Sequence, residues 1–435
     1  MHNYIAVIQA GGKGTRMRSL TEDKIPKSML KMNGKPFIQW QIEKLSHFGV
    51  TDFVIIIGHL GKKIKEYFGQ GEKLNVHITY IEEKEPLGSA GALYYLKHIY
   101  CDKDFLLIFG DVLFEIDWNR MIAFHETHMS VATLLVHPNS HPFDSDLIIL
   151  SDNGRVNAID SKQNQRDYWY DNLVNSGIYI FNRKVLGNID SASKKDLEKD
   201  ILVPLIREAK VYGYRTSEYV KDIGTPERFW QAEKEQKAGI TERKSLINAQ
   251  RCVFLDRDGT INIYKGLLCD EDEFELIPGA AEAIRRLNTA AYLVIVITNQ
   301  PVVARGLCSI EDVKEIHRKM QVRLGEEGAY LDDIVFCPHH PDKGYPEEDP
   351  FYKVVCNCRK PSVGMLQNMV EKYNINLKES YFIGDSTVDI QTGINAGVKT
   401  ILVRTGIAGK DKKYDVQPDG VAAHIAEAVE DILKI

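Results

Sequence analysis

Two carboxylates one residue apart close an apolar run in Phe254-Leu-Asp-Arg-Asp-Gly-Thr-Ile-Asn262. Such a pair, Asp256 and Asp258, can divide nucleophilic and acid–base work between its members. Taken alone, the same spacing also fits a calcium loop or a solvated turn. Further on, Val296-Ile-Thr-Asn-Gln300 ends a second apolar run in Thr298 and Asn299, and Arg359-Lys360-Pro361 supplies two cations. Phe382-Ile-Gly-Asp-Ser-Thr-Val-Asp389 then adds Asp385 and Asp389. Four such groups in this order favour a phosphoryl site over a turn.

The same stretch holds Cys337-Pro-His-His-Pro341 and Cys356-Asn-Cys-Arg-Lys360, a C-x-H…C-x-C pattern. Cys337, Cys356 and Cys358 with one histidine make a four-coordinate Cys₃His zinc site, structural because protein fills every position. His339 and His340 are both within reach. The remaining cysteines, Cys101, Cys252, Cys269 and Cys308, have no partners in sequence and are expected to pack in the core.

A second constellation lies near the start. Gln9-Ala-Gly-Gly-Lys-Gly-Thr-Arg-Met17 follows a short apolar run, and its glycines would let backbone N–H groups approach phosphate. It is not a Walker A loop, because Val7 stands where the first glycine belongs and Gly14 replaces the hydroxyl residue after Lys13. Met17 likewise breaks the dinucleotide pattern. In isolation, a solvated glycine turn is a comparable reading. Lys27, the turn Leu87-Gly-Ser-Ala-Gly-Ala92 and the strand-end Asp111 add to the loop, as do Val174-Asn-Ser-Gly-Ile178 and Lys221-Asp-Ile-Gly-Thr-Pro226. Asp111 and Asp222 together could hold a Mg²⁺ that neutralises triphosphate charge.

Elements must bring these residues together. Short β-branched runs at Tyr4–Gln9, Phe53–Ile57, Phe105–Phe109, Gly177–Phe181, Cys252–Leu255, Leu293–Thr298, Tyr381–Ile383 and Thr400–Val403 alternate with helix-period segments. That alternation predicts parallel α/β sheets covered on both faces. One sheet cannot take all of them. A polar helix over Phe229–Ile240 ends near Gly239, a patternless polar stretch follows, and a strand restarts at Cys252. The expected organisation is therefore residues 1–240, a linker at 241–250, and residues 251–435.

The N-terminal motifs resemble the sugar-1-phosphate nucleotidyltransferases, in order, over about residues 1–235. The resemblance implies transfer of a nucleotidyl group from NTP to a sugar 1-phosphate, with pyrophosphate released. It implies that Gly11, Gly12, Gly14 and Thr15 cradle the triphosphate and that Arg16 and Lys27 stabilise its charge. It further implies Gly88 against the base, Asn175 on the sugar, and Asp111 and Asp222 on Mg²⁺. Gln9 departs from the family's usual leucine, and Ser28 from its usual second proline or similar residue.

The C-terminal motifs resemble the haloacid dehalogenase superfamily of phosphatases over about residues 251–435. By that resemblance Asp256 is the nucleophile and Asp258 the acid–base. Thr298, Asn299, Arg359 and Lys360 hold phosphate. Mg²⁺ sits on Asp256, the Asp258 backbone carbonyl and Asp385, with Asp389 in support. The zinc pattern is similar to the heptose 1,7-bisphosphate 7-phosphatases and, more distantly, to histidinol-phosphate phosphatases; family spacing favours His339 as ligand. Pro301-Val302 departs from the Ser-Gly usual there.

The implied fold class is α/β: an N-terminal Rossmann-like nucleotidyltransferase sheet and a C-terminal haloacid dehalogenase-like Rossmannoid domain with a zinc loop. The fusion implies consecutive steps, removal of the 7-phosphate and then coupling of heptose 1-phosphate to GTP, as in the heptose 1-phosphate guanylyltransferases. The alternatives are another sugar such as mannose, a histidinol-type phosphatase, or one domain kept as a non-catalytic module. Base choice is not readable from these motifs.

With 55 Lys and Arg against 61 Asp and Glu, the net charge of −6 gives no reason to expect nucleic acid or an anionic membrane as partner. Small sugar phosphates and NTP are the expected partners, and a homo-oligomer is left open. No apolar run reaches membrane-spanning length, and the first apolar segment runs into a glycine turn, which reads as a strand and not a signal peptide. An odd cysteine count argues against a disulfide framework, so cytoplasm is the expected location. His125 and His128 have helix spacing without further ligands and read as packing. Tyr168-Trp-Tyr170 reads equally as sugar-pocket lining or a loop aromatic cluster.

Overall fold

A computed structural model describes residues 4–100 and 102–434. Cys101 and its expected core packing lie outside the described residues. The chain divides into two compact units. The first comprises residues 1–137, 146–161 and 173–245; the second comprises 138–145, 162–172 and 246–435. The main division thus falls between Ser245 and Leu246, while two earlier segments are grouped with the second unit.

In the first unit the strands are β1 (Tyr4–Gln9), β2 (Asp52–Ile57), β3 (His77–Glu82), β4 (Asp104–Phe109), β5 (Val112–Glu115) and β6 (Ala132–His137). They continue with β7 (Leu147–Leu150), β8 (Val156–Asp160), β9 (Val174–Phe181), β10 (Val211–Arg215) and β11 (Tyr219–Asp222). The helices are α1 (Phe37–His47), α2 (Gly61–Phe68), α3 (Trp118–Thr127) and α4 (Pro226–Lys237). One sheet runs β8-β7-β9-β4-β1-β2-β3, with β6 joining β9 to β10. Pairings of β1 with β2 and β4, and of β2 with β3, are parallel; β9 runs antiparallel to β4. The all-parallel expectation is therefore corrected for this sheet. A strand buried on both faces has the same composition in either direction, so Gly177–Phe181 carried no directional signal.

Ile5, Ala6, Val7 and Ile8 of β1 are all fully covered, as befits a central strand between two helix layers. His125 on α3 is buried with Nδ1 on Thr133 Oγ1 at 2.7 Å, and His128 bonds the Phe124 carbonyl, so both pack as expected. The polar helix begins earlier than expected. Pro226 opens it, and the Thr225 hydroxyl accepts from the Arg228 N–H, a cap the apolar pattern did not mark. Gly239 follows with φ of 68°. The stretch expected to be patternless carries a short helix, Ile240–Arg243, with Thr241 buried.

The second unit has β12 (Cys252–Leu255), α5 (Ala280–Thr289), β13 (Leu293–Asn299), α6 (Ile310–Glu326), β14 (Asp333–Cys337) and α7 (Gly364–Tyr373). It ends with β15 (Tyr381–Gly384), α8 (Thr387–Ala396), β16 (Lys399–Val403), β17 (Gly420–Ala422) and α9 (Ile425–Leu433). Its sheet runs β14-β13-β12-β15-β16-β17, every pairing parallel. Strand order reverses between β12 and β15, and the carboxyl ends of a parallel sheet open a crevice at such a point. Asp256 follows β12, Thr298 is the next-to-last residue of β13 and Asp385 follows β15. Three of the motifs meet there because of topology alone.

Candidate functional sites

Around the β12–β15 crevice, Lys360 is buried between two carboxylates, 2.8 Å from Asp256 Oδ1 and 2.6 Å from Asp389 Oδ1. Asp389 is also fixed as the α8 capping-box residue, accepting from the Ser386 N–H and hydroxyl. Asp256, Asp385 and Asp389 offer oxygens within 4.8 Å of one another, a donor set suited to a hard divalent cation. Burial first, then the neighbouring carboxylates, push Asp256 up to about 6 and Asp385 up to about 8. Bound cation would reverse that tendency. Asp385 Oδ2 accepts from the Ile407 N–H at 2.6 Å, and a methyl on Gly259 or Gly406 would collide with it.

Asp258 stands apart from this trio. Its carboxylate accepts from Arg257 at 2.8 Å, Gln300 at 2.9 Å and Asn262 at 3.0 Å. Burial alone would raise its pKa; Arg257, with the Gln300 and Asn262 hydrogen bonds, holds it below the usual carboxylate value. The fully buried Arg257 also meets His317 Nε2 at 3.2 Å. Arg257, Asn262, Gln300 and His317 were missed from the sequence. The first three lay inside quoted motifs, whereas His317 on α6 carried no signal.

Asn299 clamps the cation loop, its Oδ1 accepting from the Lys360 N–H at 3.0 Å and its Nδ2 donating to the Lys360 carbonyl at 3.2 Å. A cavity of about 440 Å³ opens here, lined among others by Asp256, Thr298, His340, Arg359 and Lys413. That is ample for a sugar bisphosphate. The Arg305 guanidinium and the Lys353 ammonium stand 4.4 and 4.8 Å from the Tyr345 ring centre. Both repel a positive charge on His340, although burial is the first cause that lowers its pKa.

The ligand atoms of Cys337, His339, Cys356 and Cys358 all lie within 4.8 Å of one another. Cys358 Sγ is 3.2 Å from each of the other two sulfurs and 3.3 Å from His339 Nδ1. His340 faces away and accepts from the Asp342 N–H through Nδ1. The geometry therefore gathers His339, and not His340, with the thiols. Cys252 is buried as expected, whereas Cys269 and Cys308 are half-buried beside Val302, Val303 and Val313.

In the first unit, the antiparallel pairing of β5 with β11 sets Asp222 opposite Val112, and the Ile223 N–H donates to the Asp111 carbonyl. Asp111 and Asp222 are thereby neighbours although they lie far apart in sequence. Lys27 Nζ is 2.6 Å from Asp111 Oδ2, and Arg228 Nη1 is 2.6 Å from Asp222 Oδ2. Arg16 reaches the same corner, with Nη2 beside Gly224. Gly14 needs its φ of 59°, and a Cβ there would sit 3.0 Å from Lys27 Cβ. Gly11, Gly12 and Thr15 complete that loop after β1.

On the other side of the loop, Gln9 Nε2 donates to the Gly88 carbonyl at 3.1 Å. Glu83, just past β3, accepts the Leu87 N–H through Oε1 at 3.2 Å, while its Oε2 lies where a methyl on Gly11 would be. Burial raises the Glu83 pKa, and the Leu87 N–H works against it. Glu83 was not recognised from the sequence; a carboxylate just before the Leu87-Gly88 turn was the available signal. Asn175, on β9, donates to Tyr179 Oη at 2.8 Å and Glu198 Oε1 at 2.9 Å. Of the aromatic triplet, Trp169 packs under Lys319 and Arg323 of α6, each 5.3 Å from its ring centre.

Comparison with known proteins matches residues 5–239 to the nucleotidyl transferase family model and residues 357–428 to a HAD-hydrolase-like model. The D-glycero-β-D-manno-heptose-1,7-bisphosphate 7-phosphatase of Haemophilus ducreyi is 40% identical over 172 residues, which are 38% of this chain and 92% of that protein. The Escherichia coli protein of the same name is 40% identical over 155 residues, 35% of this chain and 79% of its own length. Among solved structures, HddC from Yersinia pseudotuberculosis aligns with 27% identity and a TM-score of 0.47, covering 54% of this chain and 99% of HddC. Among the described residues, no helix is long and apolar enough to cross a membrane.

Proposed function

We propose that this chain, which belongs to the nucleotidyl transferase family through residues 5–239 and to the heptose-1,7-bisphosphate 7-phosphatase family through its C-terminal part, catalyses two consecutive steps. The second unit removes the 7-phosphate of D-glycero-D-manno-heptose 1,7-bisphosphate. The first couples the remaining 1-phosphate to GMP from GTP, giving GDP-heptose and pyrophosphate. One observation carries this reading: a stretch matching the nucleotidyl transferase model and a stretch similar to the heptose-1,7-bisphosphate 7-phosphatases lie in one chain, and the product class of the second would be the acceptor class of the first. The organisation into 1–240, a linker at 241–250 and 251–435 is part of the same proposal.

For phosphate removal, Asp256 attacks phosphorus and the sugar oxygen leaves, forming an aspartyl-phosphate that water then hydrolyses. Lys360 and Thr298 hold the phosphoryl oxygens, and Asn299 keeps the Lys360 peptide in place. Asp258 is held here as a carboxylate, the form that activates water in the second half. Before that, it must carry a proton to the leaving oxygen, which requires letting go of at least one donor. Arg359, at the cavity wall with the Arg305 charge acting on it, supplies positive charge for the distal phosphate. Asp256, Asp385 and the Asp258 carbonyl fit Mg²⁺, with Asp389 in support; when bound, it neutralises the charge gathered in transfer.

Cys337, His339, Cys356 and Cys358 fit a structural zinc, which would staple the loop bearing Arg359 and Lys360. Cys358→Ser is expected to lower bound zinc below one per chain and phosphate release by about 10-fold or more, with pyrophosphate release kept. Zinc analysis beside both assays checks this. Full zinc content and full activity would remove the staple.

For nucleotidyl transfer, the sugar phosphate is itself the nucleophile, so the protein supplies position and charge. Arg16 and Lys27 stabilise the α-phosphate and leaving pyrophosphate. Asp111 and Asp222 fit Mg²⁺. Gln9 fixes the Gly88 turn against the base, and the Glu83 carboxylate beside it favours guanine. Guanine alone presents two adjacent donors, N1–H and N2–H₂, to a carboxylate, whereas uracil flanks its one donor with acceptors.

The test is a matrix of heptose and hexose 1-phosphates, both anomers, against GTP, ATP, CTP, UTP and dTTP, reading pyrophosphate. GTP with a heptose phosphate is expected to be preferred, and Glu83→Gln to lose about 10-fold or more of that base preference. Preference for UTP or dTTP with a hexose phosphate would overturn the assignment.

A further inference from the structure

Past β16, within the second unit, residues 405–414 curl back over the carboxylate crevice and are tied to it along their length. The Thr405 hydroxyl donates to the Gly259 carbonyl at 2.6 Å, the Ile407 N–H to Asp385 Oδ2 at 2.6 Å, and the Gly409 N–H to the Asp385 carbonyl at 2.8 Å. Thr387, the first residue of α8, closes the far end. Its N–H and hydroxyl donate to the two carboxylate oxygens of Asp411, at 2.9 and 2.6 Å. Its Oγ1 in turn accepts from the Lys413 and Tyr414 N–H groups, both at 3.2 Å. A loop pinned this way presents its side chains from a fixed backbone, and Lys413 and Tyr414 both line the cavity of about 440 Å³.

The lysines and arginines of that cavity wall are Arg359, Lys360 and Lys413. Lys360 is already paired with Asp256 and Asp389. Arg359 donates to the His339 carbonyl at 3.0 Å, and neither it nor Lys413 makes an ion pair among the described residues. Sheet order sets these two on opposite sides of the crevice. Arg359 comes after β14, two strands to one side of β12, and Lys413 comes after β16, two strands to the other. An exposed lysine is ordinarily a solvated charge. One carried by an anchored loop on the wall of a phosphate cavity is placed to meet an anion.

We propose that Lys413 is a specificity-determining residue of the phosphatase site: it pairs with the phosphate that the substrate keeps, across the cavity from Arg359. Thr387 is its positioning residue, acting through Asp411 and the backbone of residues 413–414. This rests on the reading of the second unit as a phosphatase of a sugar bisphosphate. A phosphate monoester without a second anion gains nothing from Lys413.

The test uses the full chain and compares kcat/KM for heptose 1,7-bisphosphate with that for heptose 7-phosphate, which has the same leaving oxygen and no second phosphate. Lys413→Met keeps the length of the side chain and removes its charge. The ratio is expected to fall about 5- to 20-fold, through a higher KM for the bisphosphate. Lys412 is not on the cavity wall, so Lys412→Met removes the same net charge and is expected to hold the ratio within about two-fold of wild type. Thr387→Val should reproduce the KM effect of Lys413→Met, and Thr387→Ser, which keeps the hydroxyl, should not. An unchanged ratio in Lys413→Met overturns the proposal, as does an equal fall in Lys412→Met, which would assign the effect to net charge. A Thr387→Val chain that loses kcat on both substrates alike would make Thr387 part of the carboxylate turn and overturn its positioning role. A wild-type chain that releases phosphate from neither heptose phosphate would sink the phosphatase reading instead.

Discussion

Asp256→Asn is expected to abolish phosphate release from heptose 1,7-bisphosphate, by roughly 10⁴-fold or more, while pyrophosphate release by the same chain continues at the wild-type rate. Asparagine matches aspartate in shape but has no charge to attack phosphorus and cannot form the acyl-phosphate. Its effect on the fold is the useful control. Asp256 is buried beside Asp385 and Asp389, with Lys360 as the shared cation. Burial and the Asp389 charge push it up to about 6 even with Lys360 beside it, so Lys360 only partly relieves the repulsion among the carboxylates. Neutralising one of three carboxylates leaves Lys360 paired with Asp389, and the metal-free variant is expected to melt no lower than wild type. Active sites commonly hold such a trade between stability and function. A variant that still releases phosphate at more than a hundredth of the wild-type rate would remove Asp256 as nucleophile. One that melts early and loses both activities would show that the residue serves the fold.

Asp111, Asp256, Thr298 and Asp385 were legible because each sits at or just past the carboxyl end of a buried strand, where period-free apolar runs stop abruptly. All eight runs expected as strands are strands, within a few residues at their ends. Direction was not legible: the run ending at Phe181 has the burial of a parallel strand yet pairs antiparallel with β4. Nor was the company each residue keeps. Glu83 reads as one of several acidic residues after β3, and only the folded loop puts it against Gly11. Asp258 looked poised for catalysis; its engagement by Arg257, Gln300 and Asn262 depends on side-chain directions that spacing does not encode. The histidine choice followed the same rule. Adjacent residues on an irregular loop point different ways, so His339 joins the sulfurs and His340 faces the cavity. His317 was invisible for another reason: a polar residue on an amphipathic helix is normally solvated, and its burial is a tertiary fact.

Asp111→Asn should produce the converse of the first result. Pyrophosphate release is expected to fall about 10²- to 10⁴-fold with phosphate release unchanged. Asp111 follows β4, and the β5–β11 pairing brings Asp222 beside it, each carboxylate now facing a cation, Lys27 or Arg228. Those pairs are partly exposed and so contribute little to stability. Their value is to keep two cations and two carboxylates in register for a triphosphate that carries its own Mg²⁺. Asparagine keeps one acceptor oxygen towards Lys27 but removes the charge, so the expected signature is a higher Mg²⁺ requirement together with a lower maximum rate. Lys27→Met separates the two roles: the rate should fall without a rise in the Mg²⁺ needed for half-maximal activity. If both variants shift the Mg²⁺ requirement equally, Lys27 acts by placing Asp111 and not on phosphate. If Asp111→Asn leaves pyrophosphate release intact, Mg²⁺ is held elsewhere and the strand-end carboxylate is a structural feature of β4.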